Sequence, residues 1–497
     1  MSEHHRVVVI GAGFGGIGMS IKLARAGVPH VVLERRQDVG GTWLANTYPG
    51  CRCDVPSHLY SFSFAPNPDW SNSYSPQPEI WRYLRRVAEQ HGVIDRTRFG
   101  CEVRSGSWDG RARRWVLETS VGEMTADVVV AANGPLSEPS VPHFEGSADF
   151  RGQIVHSAQW DHSTDLAGKR VAVIGTGASA VQIVPAVQKQ AAELFVFQRT
   201  PAWIMPHRGR DISDTERRLY RMLPAVQRVV RGYHYWLNEL LLVPPLAKYP
   251  ARTKGIRKLA LKHLHTQVSD PALRHRLTPD FLPGCKRLTP SNDYLPAIAA
   301  SNTTLVTDGI ARFTPDGIRT ADATVHEVDV VILATGFKVT DPSIGDRMRG
   351  RTGRTMREVW DAKAGMRCYN GTTTAEFPNM YILAGPNTGI GHTSLIYMIE
   401  AQIGYVMRAL QVMAERGIAA LDVRPDVEAA WDEQVQRKLS RSVWNTGGCA
   451  SWYLDGHGRN PTIWPDYTFA FARRLARFDL ESYYQEVAPA REPALAS

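Results

Sequence analysis

One short pattern occurs twice in this chain of 497 residues and constrains its fold more than any other feature. VVVIGAGFGG runs from Val7 to Gly16, and VAVIGTGASA from Val171 to Ala180. Each is a four-residue apolar run that turns directly into G-x-G-x-x-G or G-x-G-x-x-A and then into helix formers. That order predicts a buried parallel strand, a tight turn and a helix. Gly11 and Gly175 permit the turn, Gly13 and Gly177 let a pyrophosphate approach bare backbone, and Gly16 and Ala180 keep helix close to strand. The phosphates then meet the unpaired N–H groups of the helix start. A lone match recurs by chance, but two copies in the right context predict two dinucleotide-binding units.

The strand after each turn distinguishes the two nucleotides. HVVLER brings Glu34 to a position 23 residues past Gly11, where a carboxylate accepts hydrogen bonds from ribose hydroxyls. LFVFQRT puts Gln198 at the same offset from Gly175, and Arg199 follows. A carboxylate would repel a 2′-phosphate, whereas a guanidinium binds it through paired charged hydrogen bonds. The first unit therefore suits the ribose of FAD and the second suits NADPH.

The predicted fold is α/β, with two Rossmann-like dinucleotide-binding domains and a helical insert. DVVVAANG (127–134) and DVVILATGF (329–337) read as strands at which the chain leaves and re-enters the FAD domain. The expected divisions are 1–145 for the first part of the FAD domain, 146–328 for the NADPH domain, and 329–497 for the second FAD part and C-terminal segment. Residues of about 211–280 have helical spacing and form the insert. The tail APAREPALAS reads as loose.

Composition excludes several classes. Hydrophobic residues make up 43% and charged residues 22%, as in ordinary globular proteins. The net charge is +9, but the basic residues are scattered, so no nucleic-acid partner is expected. The glycine-rich apolar N-terminus does not read as a signal peptide. LNELLLVPPLA is the nearest approach to a membrane span and its prolines break it, so no stable membrane insertion is expected. The six cysteines lack a secreted framework's spacing, which suggests reduced thiols and a cytoplasmic location. No metal-ligand spacing is evident.

Three further motifs give the chain a family resemblance. GGTWLANTYPGCRCD (40–54) fits a Gly-x-Trp, Pro-Gly, Asp pattern. FRGQIVHSAQWD (150–161) fits the fingerprint F-x-G-x-x-x-H-x-x-x-W-[PD] through Phe150, Gly152, His156, Trp160 and Asp161. GCKRLTPSNDYLPAI (284–298) is similar to a segment holding an active-site arginine. Together they resemble the class B flavoprotein monooxygenases over nearly the whole chain. Trp160, where N- and S-oxygenating relatives usually have Tyr, points to the Baeyer–Villiger branch. AANG at 131–134 departs from the more usual ATG but keeps the glycine turn.

The resemblance implies an FAD-dependent NADPH monooxygenase that converts ketones to esters or lactones with O2 through a C4a-peroxyflavin. It implies that Arg287 is catalytic and is held by Asp54, which also contacts FAD. It further implies that Lys286 meets the 2′-phosphate, that Trp444 reaches NADP, and that His156 has a structural, domain-coupling role. The expected cofactor-contacting set also takes in Phe14, Gly15, Gly41, Thr42, Trp43, Arg52, Tyr60 and Val103 on the FAD side, and Thr176, Ala178, Ser179 and Thr200 on the NADPH side. Sulfide or amine oxygenation is an alternative activity. A pyridine-nucleotide disulfide reductase is another, but Cys51 and Cys53 are spaced C-x-C, too close for a flavin-facing redox bridge, and are assigned to packing. A non-catalytic flavin-fold binder is disfavoured by the complete NADPH half.

Overall fold

The computed structural model describes residues 3–487, so the tail 488–497 lies outside the described residues. A mixed sheet and an all-parallel sheet carry the two glycine-rich turns. In the first, Glu3–Ile10 lies between His30–Glu34 and Gly122–Ala131, pairing parallel with both. Thr97–Phe99 extends one side, and Arg114–Thr119, Val103–Asp109 and Met348–Arg349 extend the other. Val7, Val8 and Val9 are wholly buried, as an apolar run covered on both faces must be. Met380–Ile382 also pairs with Gly122–Ala131, so residues far beyond the second nucleotide unit complete the first. The first domain is thus discontinuous in sequence.

The second sheet is all parallel, in the order Thr303–Val306, Glu193–Phe197, Arg170–Ile174, Val330–Leu333, Gln153–His156. This corrects one expected boundary. Val330–Leu333 opens no second part of the first domain; it is an interior strand of the second sheet, where four apolar residues pack on both faces. Re-entry comes just after it. There the outgoing and returning segments run side by side: Ser140 N–H donates to the Gly336 carbonyl at 2.9 Å, Lys338 N–H to Glu138 at 3.0 Å, and the Thr335 hydroxyl to Ser140 at 2.6 Å.

The insert is helical, as its spacing predicts. Asp214–Met222, Pro224–Val243, Lys254–Gln267 and Pro271–Arg276 are α-helices. The first is closed by a capping box between Ser213 and Glu216. A short parallel pair, Ile204–Met205 with Thr289–Pro290, clamps the insert's two ends together. That clamp delivers the chain to Lys286 and Arg287.

The first turn has no room for larger residues. Gly11 sits at φ +100°, and a Cβ there would meet the Ala132 carbonyl oxygen at 2.8 Å. A Cβ on Gly16 would lie 1.8 Å from the Gly11 carbonyl oxygen. Gly16→Ala should therefore push the helix Phe14–Arg25 off its strand and lower stability by about 1–3 kcal/mol or more. Urea unfolding of the flavin-loaded protein measures this, and wild-type stability would show that the turn has slack.

Candidate functional site

A groove with an empty volume of about 1230 Å³, its open mouth included, runs along the carboxyl end of the first sheet. Ten of the expected residues line it: Gly11, Gly13, Phe14, Gly15, Glu34, Gly41, Thr42, Trp43, Tyr60 and Val103. Gly16 lies behind the turn and serves packing. Glu34 is 6% exposed, and its two carboxylate oxygens accept hydrogen bonds from the backbone N–H of Ala12 at 2.8 Å and of Arg36 at 2.9 Å. It therefore fixes the turn itself as well as facing the groove. Trp43 donates to the Tyr60 hydroxyl at 3.1 Å, with the rings edge to face. Bare backbone at the turn, a helix N-terminus and a carboxylate one strand away fit a flavin dinucleotide. Sequence reading missed Asn133, Gly134 and Arg347, which line the same groove from the far strand and the returning chain.

The second turn has the same form. Gly175 is at φ +122°, and a Cβ would meet the Ala334 carbonyl oxygen at 2.5 Å. Gly177 caps the helix Ala178–Gln188, which places Ala178 and Ser179 in its first turn, and Ala180 is fully buried against the strand. The Thr176 hydroxyl donates to the Thr200 carbonyl at 2.7 Å. Gln198 is buried and turned away, donating to the Arg276 carbonyl of the insert at 2.8 Å. Arg199 is exposed beside it. Lys286 donates to the Thr200 hydroxyl at 2.6 Å. Burial, and then the neighbouring positive charge of Arg199, lower the Lys286 pKa. Two cations held close together fit a phosphate with two negative charges.

Asp54 and Arg287 meet although 233 residues separate them. The guanidinium donates through Nε to one carboxylate oxygen at 2.6 Å and through a terminal nitrogen to the other at 2.7 Å. Burial alone would raise the Asp54 carboxyl, but the charge of Arg287 and these two bonds outweigh it and hold the carboxyl below its usual range. Asp54 in turn raises Arg287 further, so the guanidinium stays charged. The side chains remain 32% (Arg287) and 20% (Asp54) exposed, so the pair is still open to a ligand. Tyr60, which lines the groove, feels both charges, and burial raises its hydroxyl pKa. Tyr453, buried beside Arg287, was not found from the sequence because it comes from a distant C-terminal loop.

The junction of the two nucleotide units is close-packed. Gly50 sits at φ +81°, and a Cβ there would meet the Gln182 carbonyl oxygen at 2.4 Å. The Gln182 side chain accepts from the Tyr48 hydroxyl at 3.0 Å and donates to the Arg52 carbonyl at 3.0 Å. Arg52 therefore serves here through its backbone, with its side chain exposed. His156 ends the edge strand Gln153–His156; it is buried, accepts from the Ala158 N–H at 3.0 Å through Nδ1, and burial lowers its pKa.

Trp444 is buried beside Gly391. One expectation is corrected. The cysteines are not all thiols. Cys285 and Cys449 form a disulfide between the arginine loop and the C-terminal segment, 164 residues apart, a meeting that no sequence spacing signals. Cys51 and Cys53 are free and buried, and burial raises Cys51 to about 12, which makes both poor thiolates.

Residues 4–222 match the family model described as FMO-like, flavin-binding monooxygenase-like. A Baeyer-Villiger monooxygenase of Streptomyces coelicolor is 49% identical, over 97% of this chain and 92% of the relative. One of Pseudomonas aeruginosa is 45% identical, over 98% of this chain and 93% of the relative. Among solved structures, an oxidized steroid monooxygenase bound to NADP superposes with a TM-score of 0.86 at 30% identity, covering 98% of this chain and all of the other. A closed cyclohexanone monooxygenase gives 0.87 at 26% identity, with the same coverage.

Glu34→Ala should leave the buried Ala12 N–H without a partner, a loss of about 1–3 kcal/mol, and should weaken flavin retention. Flavin content after extensive dialysis measures this. Full occupancy in the variant would remove Glu34 from the binding site.

Proposed function

The chain belongs to the Baeyer–Villiger monooxygenases of the flavin-binding monooxygenase-like family, and on that premise we propose that Asp54 and Arg287 form the catalytic pair that turns a ketone into an ester or lactone. The enzyme is FAD-dependent and uses NADP(H). Among the described residues no helix is long and apolar enough to cross a membrane. Bound FAD, once reduced by NADPH, supplies the chemistry that activates O2.

The observation that carries this reading is the two-pronged hold of Asp54 on a guanidinium that stays protonated. Attack on a ketone carbonyl puts negative charge on its oxygen. A fixed cation in a water-poor site stabilises that charge without having to reorient. Asp54 aims the fork through two of its nitrogens, and the third donates a long bond to the Ile390 carbonyl at 3.5 Å. The disulfide at Cys285 holds the loop behind it. At the second turn, Arg199, Thr200 and Lys286 would receive the 2′-phosphate, and the start of the helix Ala178–Gln188 would receive the pyrophosphate.

Arg199→Ala should raise KM for NADPH far more than KM for NADH, and equal rises would take Arg199 away from the 2′-phosphate. Arg287→Ala should keep its FAD yet form ester from a ketone at least about 100-fold more slowly, the scale of a lost oxyanion contact. Arg287→Lys should recover only part, because an ammonium lacks the planar fork that Asp54 grips. Product mass alongside NADPH and O2 consumption reads both variants, and near-normal ester formation by Arg287→Ala would overturn the assignment.

A further inference from the structure

The helical insert presents a surface that the oxygenation does not use. Residues 217–262 hold eleven Lys and Arg against a single acid, Glu239, which is buried. Their surplus of ten exceeds the whole chain's +9, so everything outside this segment sums to −1. The basic character of the protein therefore belongs to one stretch of 46 residues. Arg217, Arg221 and Lys248 are paired with Asp214, Asp69 and Asp466. Arg228, Arg252, Lys254, Arg257, Lys258 and Lys262 are exposed and have no acidic partner among the described residues.

The same segment exposes large apolar side chains. On the helix Pro224–Val243, Val229 is 71% exposed, Tyr233 61%, Trp236 50% and Leu240 60%. Steps of four, three and four residues put all of these on one helix face. Leu241 and Tyr249 continue the exposed apolar surface at 62% and 53%, and Phe469 packs its ring 5.8 Å from Trp236. Single exposed apolar residues need no explanation, but an aligned row does. The opposite face of this helix is fully engaged. Tyr235 stacks on Tyr397 at 5.0 Å, Glu239 accepts from His392 at 3.2 Å, and Gln227 donates to the Asn67 carbonyl at 2.6 Å.

We propose that this segment docks the enzyme onto an anionic lipid surface, with Trp236, Tyr233, Val229 and Leu240 entering the headgroup boundary and the unpaired cations binding lipid phosphates. Amphipathic helices with aromatic and aliphatic residues beside Lys and Arg lie in the plane of a bilayer in this manner. No described helix can cross a membrane, so the contact is peripheral. A second copy of the chain is disfavoured as the occupant, since a twofold contact would set two such cationic segments against each other. Docking would also orient the reaction. Past the helix end, Leu246 packs against Gly284, two residues before Lys286, and against Gly391. The arginine loop is thus anchored to the docked element, and an apolar ketone dissolved in the bilayer would arrive on that side. The docking inference stands apart from the catalytic assignment of Arg287.

Sedimentation of the flavin-loaded enzyme with phosphatidylcholine vesicles, with and without about one-third phosphatidylglycerol, tests the proposal. The protein should pellet with the anionic vesicles, stay in solution with the neutral ones, and be released by high salt. Trp236→Glu with Leu240→Glu should lower partitioning at least about tenfold. Lys254→Glu with Arg257→Glu and Lys258→Glu should lower it at least about a hundredfold. All five positions are exposed, and ketone-dependent NADPH oxidation without vesicles, unchanged in both variants, shows that each is folded. No pelleting by the wild type would overturn the inference. So would pelleting undiminished by the Trp236 and Leu240 changes, which would indicate a general polyanion patch such as a nucleic-acid site. So would a wild-type dimer that those changes dissociate, which would make the face an interface between copies.

Discussion

The ion pair between Asp54 and Arg287 ties together parts of the chain that nothing local would join. Asp54 sits on a loop that follows the first glycine-rich unit, and Arg287 on one that follows the insert of the second. For the two to meet in a two-pronged geometry, both nucleotide units must be folded and seated against each other. The packing of Gly50 on Gln182 sets that seating at backbone contact. A charge that must act in a water-poor site cannot rest on a mobile chain. The parallel clamp at the ends of the insert and the disulfide at Cys285 remove the remaining freedom of the arginine loop.

Much of this was legible in the sequence, for a physical reason. A pyrophosphate must approach backbone directly, so the turn tolerates only glycine at fixed places, and an apolar run must precede it because the strand is buried on both sides. Those demands are local and leave marks at Gly11, Gly13, Gly175 and Gly177. The same holds for Glu34 and for its replacement by Gln198 and Arg199. The helical insert showed itself through periodicity alone.

What stayed hidden depends on contacts distant in sequence. Val330–Leu333 reads equally well as a strand of either sheet, and only its neighbours Gln153–His156 and Arg170–Ile174 decide. The burial of Trp444, the position of Tyr453 and the pairing of Cys285 with Cys449 all come from the C-terminal segment folding back on the insert. Gln182 belongs to no motif, yet it holds both Tyr48 and Arg52. The concentration of positive charge was concealed differently. Its residues are spaced among apolar ones and form no long run, so it becomes visible only when residues 217–262 are counted together.

The paired passage between the two sheets has a mechanical meaning. A single connecting strand would act as a swivel, leaving the nucleotide units free to turn about any axis. Here two strands cross together and are bonded to each other through Ser140, Gly336, Lys338 and Glu138. Such a ribbon bends across its own plane far more readily than it twists or shears. The joint therefore resists twisting and shearing, and so keeps the loop of Asp54 in register with that of Arg287.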